Sequence, residues 1–350
     1  MNKSKALLSA IFAVLGLAIA SGAATAQPLP VTIGAATSVD HAAIFVGVEK
    51  GFFSKNGLDA RVKVYETGVE MINGLLSGAQ QINVMGGIPF FAGVSVGQPL
   101  MLIAHLHGDA TRNNYDDNVS IVASARSGLK EGDIKGLRGK TIALPRGAGS
   151  EYYLLGMLAQ NGMKPSDVTL VNTAPANLAT ALRGNDVDAV AIWEPWASIA
   201  TMRVPGAQRI IAGAPCESCY DPGTVLTTKS VIASQSEMLR RFAVAFAQSE
   251  QWVRQNPDEA AAIDMHWIPG VDLEVMKVAI RHSNYDPRIS ANTVASYNAK
   301  TIPLLLGDHK MAKKIDAATV VDPQFILAAE RTAPQFFSDL KPIPEAMRLQ

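Results

Sequence analysis

The sequence has no excess of charge of either sign. Its 350 residues include 31 lysines and arginines and 31 aspartates and glutamates, so the formal net charge is zero at pH 7. Proteins that bind nucleic acids or other polyanions usually carry a strongly basic surface. The composition therefore argues against nucleic acid as a partner.

Long apolar runs are also missing, except at the start of the chain. Lys3 and Lys5 precede an apolar stretch over residues 6–20, and the small residues Ala24-Thr-Ala26 precede Gln27. This pattern is typical of a secretion signal, whereas a lasting membrane span needs roughly 18–20 uninterrupted apolar residues. We expect residues 1–26 to be a signal peptide. The mature chain, with a formal net charge of −2 after the loss of the two lysines, is expected to be soluble and exported.

Cysteine is scarce, since the chain has only Cys216 and Cys219, in the stretch Cys-Glu-Ser-Cys. In an exported chain, two cysteines this close most simply form a disulfide that closes a small loop. A thioredoxin-type redox centre would place the first cysteine at a helix N-terminus, but the following Asp221-Pro-Gly predicts a turn. A zinc site would need further ligands nearby. We therefore expect a Cys216–Cys219 disulfide.

Signatures of catalysis are few. The sequence contains no H-E-x-x-H or complete P-loop pattern. His105 and His107 would share one face of a strand and, with Asp109, could begin a metal site, although polar side chains at a strand end are the simpler interpretation. Asp40-His41 fits an acid–base pair and hydrogen bonding to a ligand equally well. We expect no metal, no cofactor and no catalytic residue.

The chain alternates strand and helix patterns, and it does so twice. The first predicted strands, separated by helical stretches, cover residues 31–35, 58–65, 81–85 and 100–105. Such alternation is typical of a mainly parallel sheet with crossover helices. The order then recurs, with Thr141-Ile142 in the place of Thr32-Ile33 and Asn161-Gly-Met163 in the place of Asn56-Gly-Leu58. This pattern predicts two α/β lobes of similar construction.

Two short β-prone runs, residues 120–125 and 224–228, stand where the chain would pass between the lobes. They predict a two-segment hinge. The division that follows places residues 27–120 and 226–350 in lobe 1 and residues 121–225 in lobe 2. The sequence after Ser230 is mostly helical, and we expect these C-terminal helices to pack on the outside of lobe 1.

The stretch from Lys140 to Leu155 combines a short buried strand, a turn and the start of a helix. Ser150 is placed to cap this helix. The free backbone N–H groups of a helix N-terminus suit an anionic group, and Gly147 and Gly149 would let that group approach the backbone. An ordinary capped turn explains the same residues equally well.

Another predicted strand leads into Trp-Glu-Pro-Trp at positions 193–196. Trp193 would offer a stacking face, and Glu194 a hydrogen-bond acceptor, to a cationic or amine-bearing group. We expect Trp193 to lie near the cleft and Trp196 to be structural. Tyr152, one step into the helix after Gly149, is a further candidate for ligand contact.

Five motifs resemble one family of transport proteins. They are Val31-Thr-Ile-Gly, Val48-Glu-Lys-Gly-Phe-Phe-Ser-Lys-Asn-Gly-Leu-Asp59, Gly139-Lys-Thr-Ile-Ala, Gly149-Ser-Glu-Tyr-Tyr-Leu154 and Asp188-Ala-Val-Ala-Ile-Trp-Glu-Pro195. From Val31 to about Gln255, the chain is similar to the substrate-binding proteins of ABC importers for nitrate, aliphatic sulfonates, taurine and thiamine-pyrimidine precursors. The most specific motif is Gly-Phe-Phe-x-Lys-x-Gly-Leu.

The resemblance implies a type II periplasmic-binding fold, which is an α/β structure with two lobes, two hinge strands and a ligand clamped between the lobes. It also implies a monomer that delivers a small molecule to the permease and ATPase of an importer. Related folds include a sulfinate desulfinase with a cysteine after the first strand and a pyrimidine synthase with a cysteine-rich motif, and this chain has neither feature. An exported lyase or hydrolase on the same scaffold is the alternative.

The resemblance and the strand ends together imply which residues bind the ligand. The predicted set is Ser38, Asp40, His41, Gly86, Gly87, Ile88, Ala148, Gly149, Ser150, Tyr152, Trp193, Glu194 and Asp221. The ligand is expected to be a small polar or anionic organic molecule of the sulfonate, nitrate, aromatic carboxylate or pyrimidine-precursor class. Asp40-His41 and the cysteine loop depart from the sulfonate and nitrate members, so the ligand class stays open. Arg112, Arg126 and Arg146 are the cations that could reach it.

Overall fold

The computed structural model describes residues 27–111, 116–213, 215–217, 219 and 221–349. The predicted signal peptide, residues 1–26, and Arg112 lie outside these residues. Within the described ranges, no helix combines the length and the apolar character needed to cross a membrane.

The described residues form ten strands and fourteen α-helices. The strands are β1 Leu29–Ala36, β2 Leu58–Tyr65, β3 Ile82–Met85, β4 Leu100–His105, β5 Val119–Ala123, β6 Thr141–Leu144, β7 Thr169–Asn172, β8 Ala189–Trp193, β9 Gln208–Ala212 and β10 Thr224–Thr228. The helices are α1 Ala42–Glu49, α2 Phe52–Lys55, α3 Gly68–Leu76, α4 Gly87–Ser95, α5 Gly149–Gln160, α6 Leu178–Gly184, α7 Trp196–Arg203, α8 Lys229–Ser234, α9 Ser236–Gln255, α10 Pro257–Trp267, α11 Leu273–Ala279, α12 Ala291–Ser296, α13 Ile302–Gly307 and α14 Gln324–Thr332. A π-helix, Tyr297–Thr301, joins α12 to α13.

The first sheet, with the helices packed on it, forms lobe 1. Its strand order is β2-β1-β3-β10-β4. β1 runs parallel to β2 and β3, so the carboxyl ends of these strands meet at one edge, and β10 runs antiparallel to its neighbours. All residues of the interior strand β3 are buried, whereas the edge strand β2 alternates between more and less exposed residues. This contrast follows from whether one or both faces of a strand are covered.

The second sheet forms lobe 2 and repeats the same topology. Its order is β7-β6-β8-β5-β9, with β6 in the place of β1 and the antiparallel β5 in the place of β10. The predicted repeat between the two halves is therefore confirmed. It places the start of α5 in lobe 2 at the position that residues 38–41 occupy in lobe 1.

The chain crosses between the lobes twice, once between β4 and β5 and once between β9 and β10. β5 and β10, the strands predicted for the hinge, are interior strands of the sheets that they enter after each crossing. The boundaries expected after residue 120 and after residue 225 fall inside these two strands. The division of the chain into lobes at those residues stays a prediction.

The C-terminal helices pack on lobe 1, as expected. α9 is amphipathic and lies against α1 and α2, where its Phe242 stacks on Phe53 with 5.7 Å between ring centroids. Trp267 of α10 stacks on Phe45 of α1 at 5.0 Å. In addition, α11 contacts α7 and α13 contacts α5, so this region also bridges to lobe 2.

Cys216 and Cys219 form the predicted disulfide, which lies in the second crossing segment. Both cysteines are buried. Gln160 at the end of α5 holds the same loop, since its Nε2 donates to the carbonyl of Pro215 at 2.9 Å and its Oε1 accepts from the N–H of Glu217 at 2.8 Å. The disulfide loop is thus attached to lobe 2.

Candidate ligand-binding site

A cavity of about 50 Å³ lies where the strand ends of the two lobes face each other. Nine of the thirteen predicted binding residues line it, namely Ser38, Asp40, His41, Gly86, Ala148, Gly149, Ser150, Trp193 and Asp221. Open α/β sheets bind ligands at the carboxyl ends of their strands. The structure brings these nine residues together around one space, and their role in binding stays a prediction.

Three of the other predicted residues lie around the cavity without lining it. The N–H of Gly87 is bound to Asp221. Ile88 is buried in the core of lobe 1, because successive residues at the start of a helix point to different sides. Tyr152 is fully buried, and its hydroxyl donates to Oγ1 of Thr301 at 3.2 Å. Tyr152 therefore joins α5 to the C-terminal region instead of facing the cavity.

Glu194 is the fourth predicted residue that does not line the cavity, and its carboxylate points into lobe 2. Oε1 accepts from Arg209 at 2.5 Å, and Oε2 accepts from the N–H of Ser198 at 3.0 Å. The Glu194 carboxylate, which was expected to accept a hydrogen bond from a ligand, therefore accepts from residues of lobe 2 instead. The Glu194 carbonyl instead reaches lobe 1, where it accepts from the N–H of Val39 at 3.2 Å and lies 3.1 Å from the hydroxyl oxygen of Ser38.

Two tryptophans add to this contact between the lobes. Nε1 of Trp193 and Nε1 of Trp196 both donate to the carbonyl of Thr37, at 3.3 and 3.0 Å. Trp193 also lines the cavity and Trp196 does not, and a role of Trp193 in ligand binding stays a prediction.

The loop after β1 holds a neutral histidine beside a carboxylate. Nδ1 of His41 accepts from the N–H of Ala36 at 2.7 Å, so the ring proton is on Nε2, which lies 3.6 Å from Oδ2 of Asp40. The hydroxyl of Ser38 donates to the other oxygen of Asp40. Burial lowers the pKa of His41, although Asp40 opposes this effect. His41 thus has no free nitrogen with which to act as a base, which disfavours the acid–base interpretation of this pair.

His107 connects this loop to the first crossing segment. Its Nδ1 lies 2.8 Å from Oδ2 of Asp116, and its Nε2 lies 3.6 Å from Oδ2 of Asp40. Burial by itself would lower the pKa of His107, but Asp116, Asp40 and Asp221 raise it to about 9. His107 is therefore a buried imidazolium with a carboxylate at each nitrogen.

Asp221 occupies the N-terminus of α4. The N–H of Gly87 lies 2.8 Å from one carboxylate oxygen and 3.0 Å from the other. Burial raises the pKa of Asp221 to about 6, while His107 and the N–H groups of Gly87 and Gly223 act in the opposite direction. A Cβ atom at Gly87 would lie only 2.8 Å from Asp221, so glycine is needed for this approach.

The N-terminus of α5 faces the cavity from lobe 2. Its N-cap is Ala148 and no side chain caps it, so the prediction of a Ser150 cap is wrong: Ser150 lies inside the first turn. The Ser150 hydroxyl is fully buried and has no hydrogen-bond partner within the described residues. The next residue, Glu151, is held by the N–H of Gly147 at 2.6 Å and by Lys310 at 2.8 Å.

Seven lining residues were not in the predicted set: Ala36, Gly68, Met85, Pro89, His107, Asn118 and Val119. His107 was considered only as the strand neighbour of His105, but β4 ends at His105, so the two side chains do not share a strand face. Asn118 directly precedes β5, and a polar residue before a buried strand is the signal that could have identified it.

The cavity wall has no basic side chain apart from histidine in the part of the chain that the structure describes. Arg126 binds the carbonyl of Asn185 instead, and Arg146 pairs with Glu151 at 2.9 Å. Across the described ranges, no group of three or more His, Cys, Asp or Glu side chains is arranged to hold a metal ion. His105 faces away from the cavity, and burial together with the nearby His107 lowers its pKa to about 3.

Two lobes of the same topology, two crossings and a cavity between the strand ends define a type II periplasmic-binding fold. The model of the NMT1/THI5-like family matches residues 38–260, which is more than half of the chain. The protein belongs to this family.

Its relatives bind small solutes. The chain is 28% identical over 335 residues, or 94% of this chain and 97% of the relative, to a Bacillus subtilis (strain 168) protein named as a candidate aliphatic sulfonates-binding protein. It is 28% identical over 180 residues, or 51% of this chain and 52% of the relative, to the taurine-binding periplasmic protein of Escherichia coli (strain K12).

Solved structures share the fold. The alkanesulfonate-binding protein SsuA of Xanthomonas axonopodis pv. citri, bound to MOPS, superposes with a TM-score of 0.73 at 19% identity, covering 85% of this chain and 99% of that one. The nitrate-binding protein NrtA of Synechocystis PCC 6803 superposes with a TM-score of 0.72 at 13% identity. The match covers 90% of this chain and 92% of NrtA. The desulfurization enzyme DSZB is more distant, with a TM-score of 0.62 at 14% identity. The match covers 87% of this chain and 99% of DSZB. The two relatives and the first two of these structures are named as binding proteins, and DSZB is named as an enzyme.

Proposed function

We propose that this protein is the periplasmic solute-binding component of an ABC importer, which closes its lobes around a small polar organic solute. The observation that carries this proposal is the cavity, because both lobes line it and both contribute polar groups. The proposed partners are a permease and an ATPase. The secretion pattern of residues 1–26 and the periplasmic relative support the location, and the proposed working form is a monomer.

Among the described residues, several hydrogen bonds join the lobes directly beside the cavity. They include the bonds from Trp193 and Trp196 to the carbonyl of Thr37 and the bond from the N–H of Val39 to the carbonyl of Glu194. A typical hydrogen bond contributes only about 1 kcal/mol net, because opening exchanges it for bonds to water. A solute that contacts both lobes would therefore shift the population toward the closed state.

The candidate solutes are the sulfonate, nitrate, aromatic carboxylate and pyrimidine-precursor classes. The names of the relatives and structural neighbours support the first two. The loop around Asp40 and His41 and the disulfide loop are the reason to keep the search wider than these.

A ligand screen tests the proposal. We expect a cognate solute to raise the melting temperature and to lower the radius of gyration in small-angle scattering, since it binds the closed native state. At a ligand concentration of 100 times Kd the stabilisation is about 2.7 kcal/mol. A variant with Ala148→Trp, whose ring would fill the cavity, should lose the response while remaining folded. The proposal fails if no member of the four classes stabilises the protein, or if the variant responds like the wild type.

A further inference from the structure

The charges around the cavity do not balance. Three buried carboxylates, those of Asp40, Asp116 and Asp221, surround the single imidazolium of His107, and His41 is neutral. The described residues that line the cavity include no lysine or arginine. Excess charge is costly in a buried site unless an opposite charge pairs with it. The site therefore favours a ligand that brings positive charge to lobe 1.

Two groups that could donate to an anion in lobe 1, the N–H of Gly87 and the ring of His107, are already engaged. The N–H of Gly87, at the start of α4, binds the carboxylate of Asp221. Both nitrogens of His107 face the carboxylates of Asp116 and Asp40. The protein thus supplies its own anions where a sulfonate or nitrate oxygen would otherwise bind.

Lobe 2 presents the opposite chemistry. The α5 helix has twelve residues, and its N-terminus lines the cavity through Ala148, Gly149 and Ser150. The buried Ser150 hydroxyl has no partner among the described residues, and a buried polar group without a partner is costly. A hydrogen-bond acceptor on the ligand would satisfy it and would also interact favourably with the positive end of the helix dipole.

We infer that the ligand has a protonated nitrogen, of the ammonium or amidinium type, which binds between Asp40 and Asp221, and a hydrogen-bond acceptor at its other end, which binds Ser150 and the start of α5. Trp193 of lobe 2 lines the same cavity. Each lobe then holds one end of the ligand, so tight binding requires closure. This inference rests on the proposed function and narrows its substrate class.

Matched pairs of compounds test the inference. Thermal-shift and calorimetric titrations would compare 2-aminoethanesulfonate with ethanesulfonate, 3-aminopropanoate with propanoate, and 4-amidinobenzoate with benzoate, together with a wider library built in the same pairs. We expect the nitrogen-bearing member of a pair to bind roughly tenfold or more tightly. The inference is overturned if the nitrogen-free anions bind equally well or better. If no compound of any charge binds, the proposed function fails and the inference fails with it.

Side-chain variants give an independent readout on the best-binding probe. Asp40→Asn keeps an acceptor for the Ser38 hydroxyl but removes the charge, and we expect Kd to rise roughly tenfold or more. Asp221→Asn retains an acceptor for the N–H of Gly87 and serves as the second variant if the first does not fold. Asp117→Asn, at an exposed neighbouring carboxylate, is the control and should leave Kd unchanged. An unchanged Kd in a folded charge variant, or an equal loss in the control, contradicts the inference.

Discussion

His107 determines how much negative charge the site contains. The charged groups that face it are Asp40, Asp116 and Asp221, and the neutral His41 lies nearby. A Cβ atom at Gly223 would lie 2.6 Å from its ring, so both crossing segments and the loop after β1 enclose this side chain. Loss of its proton would leave the buried carboxylates without a cation.

The raised pKa of His107 predicts a specific pH dependence of stability. The native protein holds this proton up to about pH 9, whereas the ordinary value is 6.5. The stabilisation is therefore fully present below pH 6.5 and is lost as the pH rises through 9. The loss is on the order of 3 kcal/mol and can be measured by urea unfolding at a series of pH values. Asp221, whose pKa is about 6, has lost most of its proton before the pH enters the range from 6.5 to 9.

A His107→Gln variant should remove the loss of stability that His107 causes between pH 6.5 and pH 9. The buried carboxyls of Glu250 and Asp264, whose pKa values burial raises, are unchanged in this variant. The exposed His266 offers a matched control, and His266→Gln should leave the wild-type curve intact. If His107→Gln shows the same slope as the wild type in this window, another group is responsible for it.

Among the elements, the second crossing segment links the most parts of the site. Its disulfide loop is attached to Gln160 of α5, and two residues beyond Cys219 it supplies Asp221 to the start of α4. One short segment therefore positions a carboxylate of the site relative to both lobes.

Removal of this cross-link should destabilise the protein modestly. The closed loop is very short, and the chain-entropy estimate for such a loop is roughly 2 kcal/mol. We expect the double variant Cys216→Ser/Cys219→Ser to melt a few degrees lower and to bind ligand more weakly, because Asp221 is less well positioned. Dithiothreitol should reproduce the effect in the wild type and leave the double variant unchanged. Equal melting temperatures with and without the cross-link would contradict this account.

For the molecule as a whole, the C-terminal region acts as a second connection between the lobes. Lys310, just after α13, pairs with Glu151 of α5 at 2.8 Å, and Thr301 accepts from Tyr152 of the same helix at 3.2 Å. Asp272 before α11 pairs with Arg203 of α7. Helices that pack on lobe 1 thus extend to lobe 2 in the closed arrangement.

Lys310→Gln should weaken ligand binding by lowering the population of the closed state. Arg146 still pairs with Glu151 in this variant, so the buried carboxylate is not left alone. A partly exposed ion pair contributes up to about 1 kcal/mol, which corresponds to roughly a fivefold rise in Kd. The exposed Lys313 in the same segment provides the control, and Lys313→Gln should bind normally. A normal Kd for Lys310→Gln would show that the C-terminal region does not stabilise closure.

The order of the strands and the loops of the site were predictable because they depend on local patterns. Alternating apolar residues predicted the strands, and glycines and polar residues marked the loops at their ends, so nine of the thirteen predicted residues line the cavity. The predictions that failed concern the direction in which a side chain points. Ser150 lies inside the helix instead of capping it, and Glu194 and Tyr152 sit next to lining residues but point into the protein.

By itself, the sequence determined the fold class, the repeat of two lobes, the disulfide and the strand ends from which the site is built. These follow from side-chain period, turn chemistry and chain order, which are properties of neighbouring residues. Only the tertiary structure decided the charge of the site. It brought Asp40, His107, Asp116 and Asp221 together from the loop after β1 and from both crossing segments. On the other side, it left the Ser150 hydroxyl with no hydrogen-bond partner among the residues that the structure describes. Pairing between residues so far apart in the chain depends on how the lobes pack, which no local pattern records.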